Sequence, residues 1–148
     1  MSGLLNQALA EGSIQLHAQA SNWKQSLELA GAALEQSHRT TGEYTKAMVA
    51  AFEELGPYMV IAPGIALAHA RPSDAVLSTG LSLVTLSDPV PFGNVSNDPV
   101  SLVIGLAAVD HDSHIDLMAA LSELLMDVTK VNMLLQAENV EQVRTLLG

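Results

Sequence analysis

Val100–Val109 reads VSLVIGLAAV, apolar or glycine at every position except Ser101. A strand with one wet face alternates, whereas a run without alternation fits a strand covered on both faces. The run is far shorter than the roughly 20 residues of a membrane-spanning helix. We therefore read it as the central strand of a sheet that carries helices on each side. The next residues, DHDSHID from Asp110 to Asp116, open one such helix, with Asp110 or Asp112 placed to cap it. Ile115, Met118, Leu121, Leu124 and Leu125 then lay an apolar stripe to about Met126.

Upstream of this strand, Thr79–Leu86 reads as another, with a turn expected over Asp88–Pro91 and a polar loop over Phe92, Gly93, Asn94, Ser96 and Asn97. Tyr58–Ala62 is β-prone until Pro63 and Gly64 interrupt it, so the chain is expected to enter a loop ahead of His69. Trp23, Leu27, Ala30 and Leu34 recur at helical spacing after a cap at Ser21 or Asn22, up to about Ser37. Tyr44, Ala47, Met48, Ala51, Phe52 and Leu55 mark a second helix that Gly56 and Pro57 end. Ile14, Leu16 and Ala18 alternate as a first strand, and Lys130–Gln136 and Val140–Leu147 read as closing helices. Strands and helices intermingle without repeat or linker. The expected class is α/β, one domain over residues 1–148, with a mixed β-sheet flanked by helices on both faces.

Composition narrows the function. No cysteine is present, which removes disulfides, thiolate catalysis within the chain and cysteine zinc sites. A formal charge of −10 opposes a phosphate-backbone ligand, so nucleic acid is not the expected partner. A small phosphorylated donor or a basic partner protein fits that charge better. The N-terminus has no Lys or Arg before Lys24 and so lacks the basic region of a signal peptide; a cytoplasmic protein without direct membrane insertion is expected. The common nucleotide, hydrolase and metalloprotease motifs are absent. DHDSHID does not complete a calcium loop, having Ile115 where glycine is needed and Leu121 where a bidentate Glu is needed.

One short stretch can carry chemistry. Ala62–Pro72 reads APGIALAHARP and sets His69 two residues before Arg71, the only Lys or Arg between Lys46 and Lys130. Ala68 and Ala70 are small enough to leave the His69 ring open to a large group. A neutral imidazole nitrogen is nucleophilic near neutral pH, and a phosphohistidine needs neither metal nor thiol in the protein. Arg71 offers a charged fork for phosphoryl oxygens. His114, at the start of a helix, adds a donor beside free backbone amides and the positive end of the dipole. A surface histidine without function, and a metal held by His111, His114 and a carboxylate, stay open at this point.

The chain resembles the enzyme IIA domains of the bacterial phosphoenolpyruvate-dependent sugar phosphotransferase system, type-2 or mannitol/fructose-like class. Ile65, Ala66, Leu67, Ala68 and His69 occupy the family's active-site segment, and Val90, Phe92 and Gly93 match a V-x-F-G turn. Asp98 with Leu102–Ala107 matches the strand that follows, and His114, Ile115 and Leu121 match the second histidine and its helix. The resemblance extends from about Ile14 to Leu147. Within the class, LGPYMVIAPGIALAHARP (Leu55–Pro72) is most similar to ascorbate-specific IIA proteins. It implies that His69 accepts phosphate from HPr, with the tele nitrogen taken as the acceptor although sequence does not distinguish the two. It also implies that a cysteine of enzyme IIB receives the group, that a membrane IIC permease imports and phosphorylates L-ascorbate, and that His114 assists.

Two positions depart from the family pattern. Ala68 stands where a proline commonly precedes the histidine, and Ala51, Phe52 and Glu53 stand where an arginine is often found. Arg71 is the candidate replacement for that phosphate clamp. No resident cofactor or metal is expected, and homodimer formation is left open. Two other readings remain: a regulatory IIA-like module whose phosphorylation state controls a transcription factor or transporter, and the metal-dependent binder built on His111 and His114.

Overall fold

The apolar run does form the middle of the sheet, as far as Ala107. In a computed structural model, which describes residues 3–110, 112 and 114–148, five strands lie in the order β1-β4-β5-β3-β2. They span Ile14–Ala18 (β1), Val60–Ala62 (β2), Ile65–Ala68 (β3), Gly80–Val90 (β4) and Val100–Ala107 (β5). β5 runs antiparallel to β4, with Leu83 opposite Ile104, and parallel to β3, with Leu67 opposite Ile104. β1 is parallel to β4 and β2 antiparallel to β3, so the sheet is mixed.

Alternation along the central strands feeds two cores. Ala66, Ala68, Val84 and Val103 pack with Leu27, Leu34 and Met48 of helices α2 (Trp23–Gln36) and α3 (Gly42–Leu55). Leu67, Leu83, Leu102 and Ile104 pack with Leu117, Leu121 and Leu134 of α4 (Ile115–Met126) and α5 (Val128–Gln136). A short helix α1 (Leu4–Ala8) and α6 (Val140–Leu147) complete the second layer. The Asn22 side chain caps α2 by accepting from the Gln25 amide at 2.9 Å, and Gly56, at φ 84°, ends α3.

Four expectations need correction. Ile65–Ala68 is not loop but strand β3, because Gly64 reverses the chain at φ 75° and its carbonyl accepts from the Ser101 and Leu102 amides at 2.9 and 3.1 Å. Pro63 and Gly64 are thus a tight turn between two paired strands. Asp88 and Pro89 do not turn away: β4 continues to Val90, with the register shift falling between Thr85 and Val90 where Ser87, Asp88 and Pro89 are exposed. The N-cap of α4 is His114 rather than Asp110 or Asp112, and the Asp110 carboxylate accepts instead from the Asp112 amide at 3.0 Å. Tyr58 lies in a 3-10 turn, Pro57–Met59, rather than in a strand. Helix α1 was not anticipated. It is held from outside by Arg144 of α6, whose Nη2 donates to the Leu9 carbonyl at 2.6 Å.

Candidate phosphoryl-transfer site

His69 follows directly after β3, whose four residues are all buried and locked against β5. The backbone that presents the ring is therefore as rigid as the sheet. The ring bends back onto its own strand. Its Nδ1 lies 2.8 Å from the Leu67 carbonyl oxygen. A carbonyl only accepts, so Nδ1 carries the proton, and in the neutral ring the lone pair resides on Nε2.

The Tyr44 hydroxyl fixes the next residue. It accepts from the Ala70 amide at 3.0 Å and donates to the Leu106 carbonyl at 2.6 Å, joining the segment after β3 to β5 and to α3. Burial pushes the Tyr44 phenol above its ordinary value, partly offset by its backbone bond at Ala70, so it stays a neutral donor. Tyr58 stands on the other side, its ring edge-to-face with His69 at 5.4 Å and 81°. Burial raises its phenol as well.

His69, Arg71 and His114, far apart in sequence, line one cleft of about 780 Å³. Ala47, Ala50 and Ala51 of α3 form one wall, with Leu55 and Tyr58 at its end. The α3 wall contributes Glu54 but no cation, and Arg71 is the only Lys or Arg among the lining residues. Two other cations have partners outside the cleft lining. Lys46 pairs with Glu43 at 3.4 Å, and Arg39 donates to the Thr79 carbonyl at 2.8 Å and the Gln7 carbonyl at 3.1 Å. His114 has a buried Nδ1 without a hydrogen-bond partner among the described residues. Such an atom costs free energy unless a ligand or water satisfies it.

Ile65 and Leu67, just ahead of His69, belong to the core rather than to the surface of the cleft. Tyr44 and Tyr58 escaped sequence reasoning as parts of the site. Tyr44 stands in an apolar helical stripe, and the partners of its hydroxyl are 26 and 62 residues away. Among the described residues no group of three His, Cys, Asp or Glu side chains is arranged to hold a metal ion. His111, the other histidine of the metal reading, lies outside the described residues.

The family model for "Phosphoenolpyruvate-dependent sugar phosphotransferase system, EIIA 2" matches residues 7–148. The chain belongs to this family. It is thereby a component of a phosphotransferase system, a transferase of sugar transport. The ascorbate-specific PTS system EIIA component of Salmonella choleraesuis is 41% identical over 111 residues, which cover 74% of this chain and 72% of that protein. The solution structure of the mannitol-specific cryptic phosphotransferase enzyme IIA CmtB from Escherichia coli superposes with a TM-score of 0.84 at 35% identity, covering 97% of each chain. A complex of enzyme IIAMTL with phosphorylated enzyme IIBMTL from Escherichia coli gives a TM-score of 0.81 at 29% identity, over 94% of this chain and 96% of that one. No described helix is long and apolar enough to cross a membrane.

Proposed function

We propose that this EIIA component is a cytoplasmic phosphocarrier, one domain over residues 1–148, in which His69 accepts a phosphoryl group from phospho-HPr and delivers it to a cysteine of enzyme IIB. The relay ends at a membrane IIC permease that takes up and phosphorylates L-ascorbate. The observation that carries this reading is the tether between His69 Nδ1 and the Leu67 carbonyl, which leaves Nε2 as the nucleophile in a cleft holding Arg71 and His114. The similarity to ascorbate-specific EIIA components supports the substrate, and the IIA–IIB complex of a fold relative supports the acceptor.

The step balances simply. The Nε2 lone pair attacks phosphorus, the bond to the donor breaks as the N–P bond forms, and the donor retains the electron pair. The ring keeps its Nδ1 proton and becomes cationic, and the Leu67 carbonyl at 2.8 Å stabilises that charge. A thiolate of IIB then attacks the same phosphorus and the electron pair returns to Nε2. Little bond-making machinery is needed. Positioning and charge stabilisation carry such transfers, and Arg71 with His114 supplies the charge and donor.

Label passed from phosphoenolpyruvate through enzyme I and HPr should reach the chain and then IIB. His69→Ala should stop both transfers. Passage of label to IIB through that variant would refute the reading.

A further inference from the structure

Tyr58 touches His69 but has no part in the chemistry above. Its place is firmly set: Pro57 opens the 3-10 turn and Met59, fully buried, anchors the other side. Tyr58 itself is 41% exposed, so its ring is not there to fill the core. The residues flanking His69 are alanines and offer the imidazole no side wall, whereas the Tyr58 ring meets it edge-to-face at 5.4 Å and 81°.

We propose that Tyr58 is a positioning residue for phosphoryl transfer, whose ring, together with the Leu67 carbonyl, holds the His69 imidazole in the orientation and tautomer that keep Nε2 bare and facing the cleft. The proposal rests on His69 being the acceptor. One hydrogen bond at Nδ1 fixes one ring atom but not the plane of the ring, and rotation about the Cβ–Cγ bond would break that bond and let Nε2 take the proton. An aromatic wall opposes this rotation. A ring pair of ordinary strength shifts such an equilibrium by about 2- to 12-fold. A phenol is uncharged near neutral pH and partial burial raises this one further, so the wall carries no charge beside an anionic group.

The test compares Tyr58→Phe and Tyr58→Ala in the full chain. Long-range ¹H–¹⁵N spectra of the imidazole nitrogens give the His69 tautomer ratio. Transfer from phospho-HPr at varied concentration separates the saturating rate from the half-saturating concentration. The phenylalanine variant should match wild type within about 2-fold. The alanine variant should show a tautomer ratio moved toward Nε2–H, and a saturating rate lowered, by about 2- to 12-fold each, with half-saturation unchanged. An alanine variant with wild-type ratio and rate overturns the proposal, as does an equal loss in both variants or a change in half-saturation alone. If wild-type His69 takes up no phosphate, the acceptor reading itself fails, which a phosphorylated wild type with an unaffected Tyr58→Ala variant does not imply.

Discussion

The Tyr44 hydroxyl bridges the Ala70 amide, at 3.0 Å, and the Leu106 carbonyl, at 2.6 Å, so a residue of α3 clamps the end of β3 to β5 one step beyond His69. Neither tether of this histidine comes from a neighbouring charge. Its ring is held by Leu67 and its following residue by Tyr44, both through the backbone.

Tyr44→Phe should therefore cost stability without a change in shape. The Ala70 amide and Leu106 carbonyl lose their common partner, which costs about 1–3 kcal/mol, read as a lower denaturant midpoint with an unchanged slope. An alkaline signature accompanies it. Burial raises the Tyr44 phenol in the folded state, while the unfolded phenol ionises near its ordinary value of 10.0. Above that pH the unfolded chain has lost a proton that the folded one retains, so stability is unaffected below it and falls as pH rises through it. The phenylalanine variant should lose Tyr44's share of this fall, measured as midpoints at about pH 8 and about pH 11.

Arg71→Ala should slow phosphoryl transfer by about 10-fold while the thermal midpoint stays within experimental scatter. Removal of one preorganised stabilising donor costs about 10²–10³-fold, and the solvent exposure of Arg71 lowers its share to about 10-fold. Stopped-flow transfer from phospho-HPr measures this. An unchanged rate would mean that the cleft needs no cation.

His114→Ala should retain the phosphorylation site and lose rate by about 10²-fold, the effect of deleting a preorganised donor. The variant should also fold at least as well as wild type, because it removes the buried Nδ1 that has no partner among the described residues. Loss of function with no loss of stability, seen by rapid quench and calorimetry, separates a working group from a structural one.

Asp98→Ala should loosen the loop before β5. Its carboxylate accepts from the amides of Phe92, Gly93 and Asn94 at 2.9, 2.8 and 3.1 Å, while the Asn94 side chain adds a bond from the Asn97 amide at 3.1 Å. Loss of these charge-assisted bonds should destabilise by about 1.5–3 kcal/mol, with amide exchange rising first at residues 92–94.

Sequence carried the fold where burial is two-sided or periodic. VSLVIGLAAV became the central strand, and the stripes of α2 and α3 supply much of the first core, although Ala47 and Leu55 line the cleft instead. It failed where the partner is distant. Ile65–Ala68 looked like loop behind Pro63 and Gly64, yet pairing with Leu102–Gly105 makes it a strand. Helix α1 has only five residues and is held by Arg144 from the opposite end of the chain. For the candidate site, His69, Arg71 and His114 could be singled out because histidine and an isolated arginine are chemically conspicuous in an acidic chain, and the fold brings the three to one cleft. The two tyrosines were not: an aromatic in an apolar stripe, like Tyr44, looks the same whether or not its hydroxyl has a partner, and Tyr58 meets His69 only through the folded chain.

The most direct measurement of the central claim is to incubate the chain with phosphoenolpyruvate, enzyme I and HPr and map the phosphate by mass spectrometry and ³¹P–¹⁵N NMR. An acid-labile, base-stable phosphate on Nε2 of His69, with Nδ1 still protonated, is the expected result. Phosphate on another residue, or on Nδ1 of His69, would contradict it.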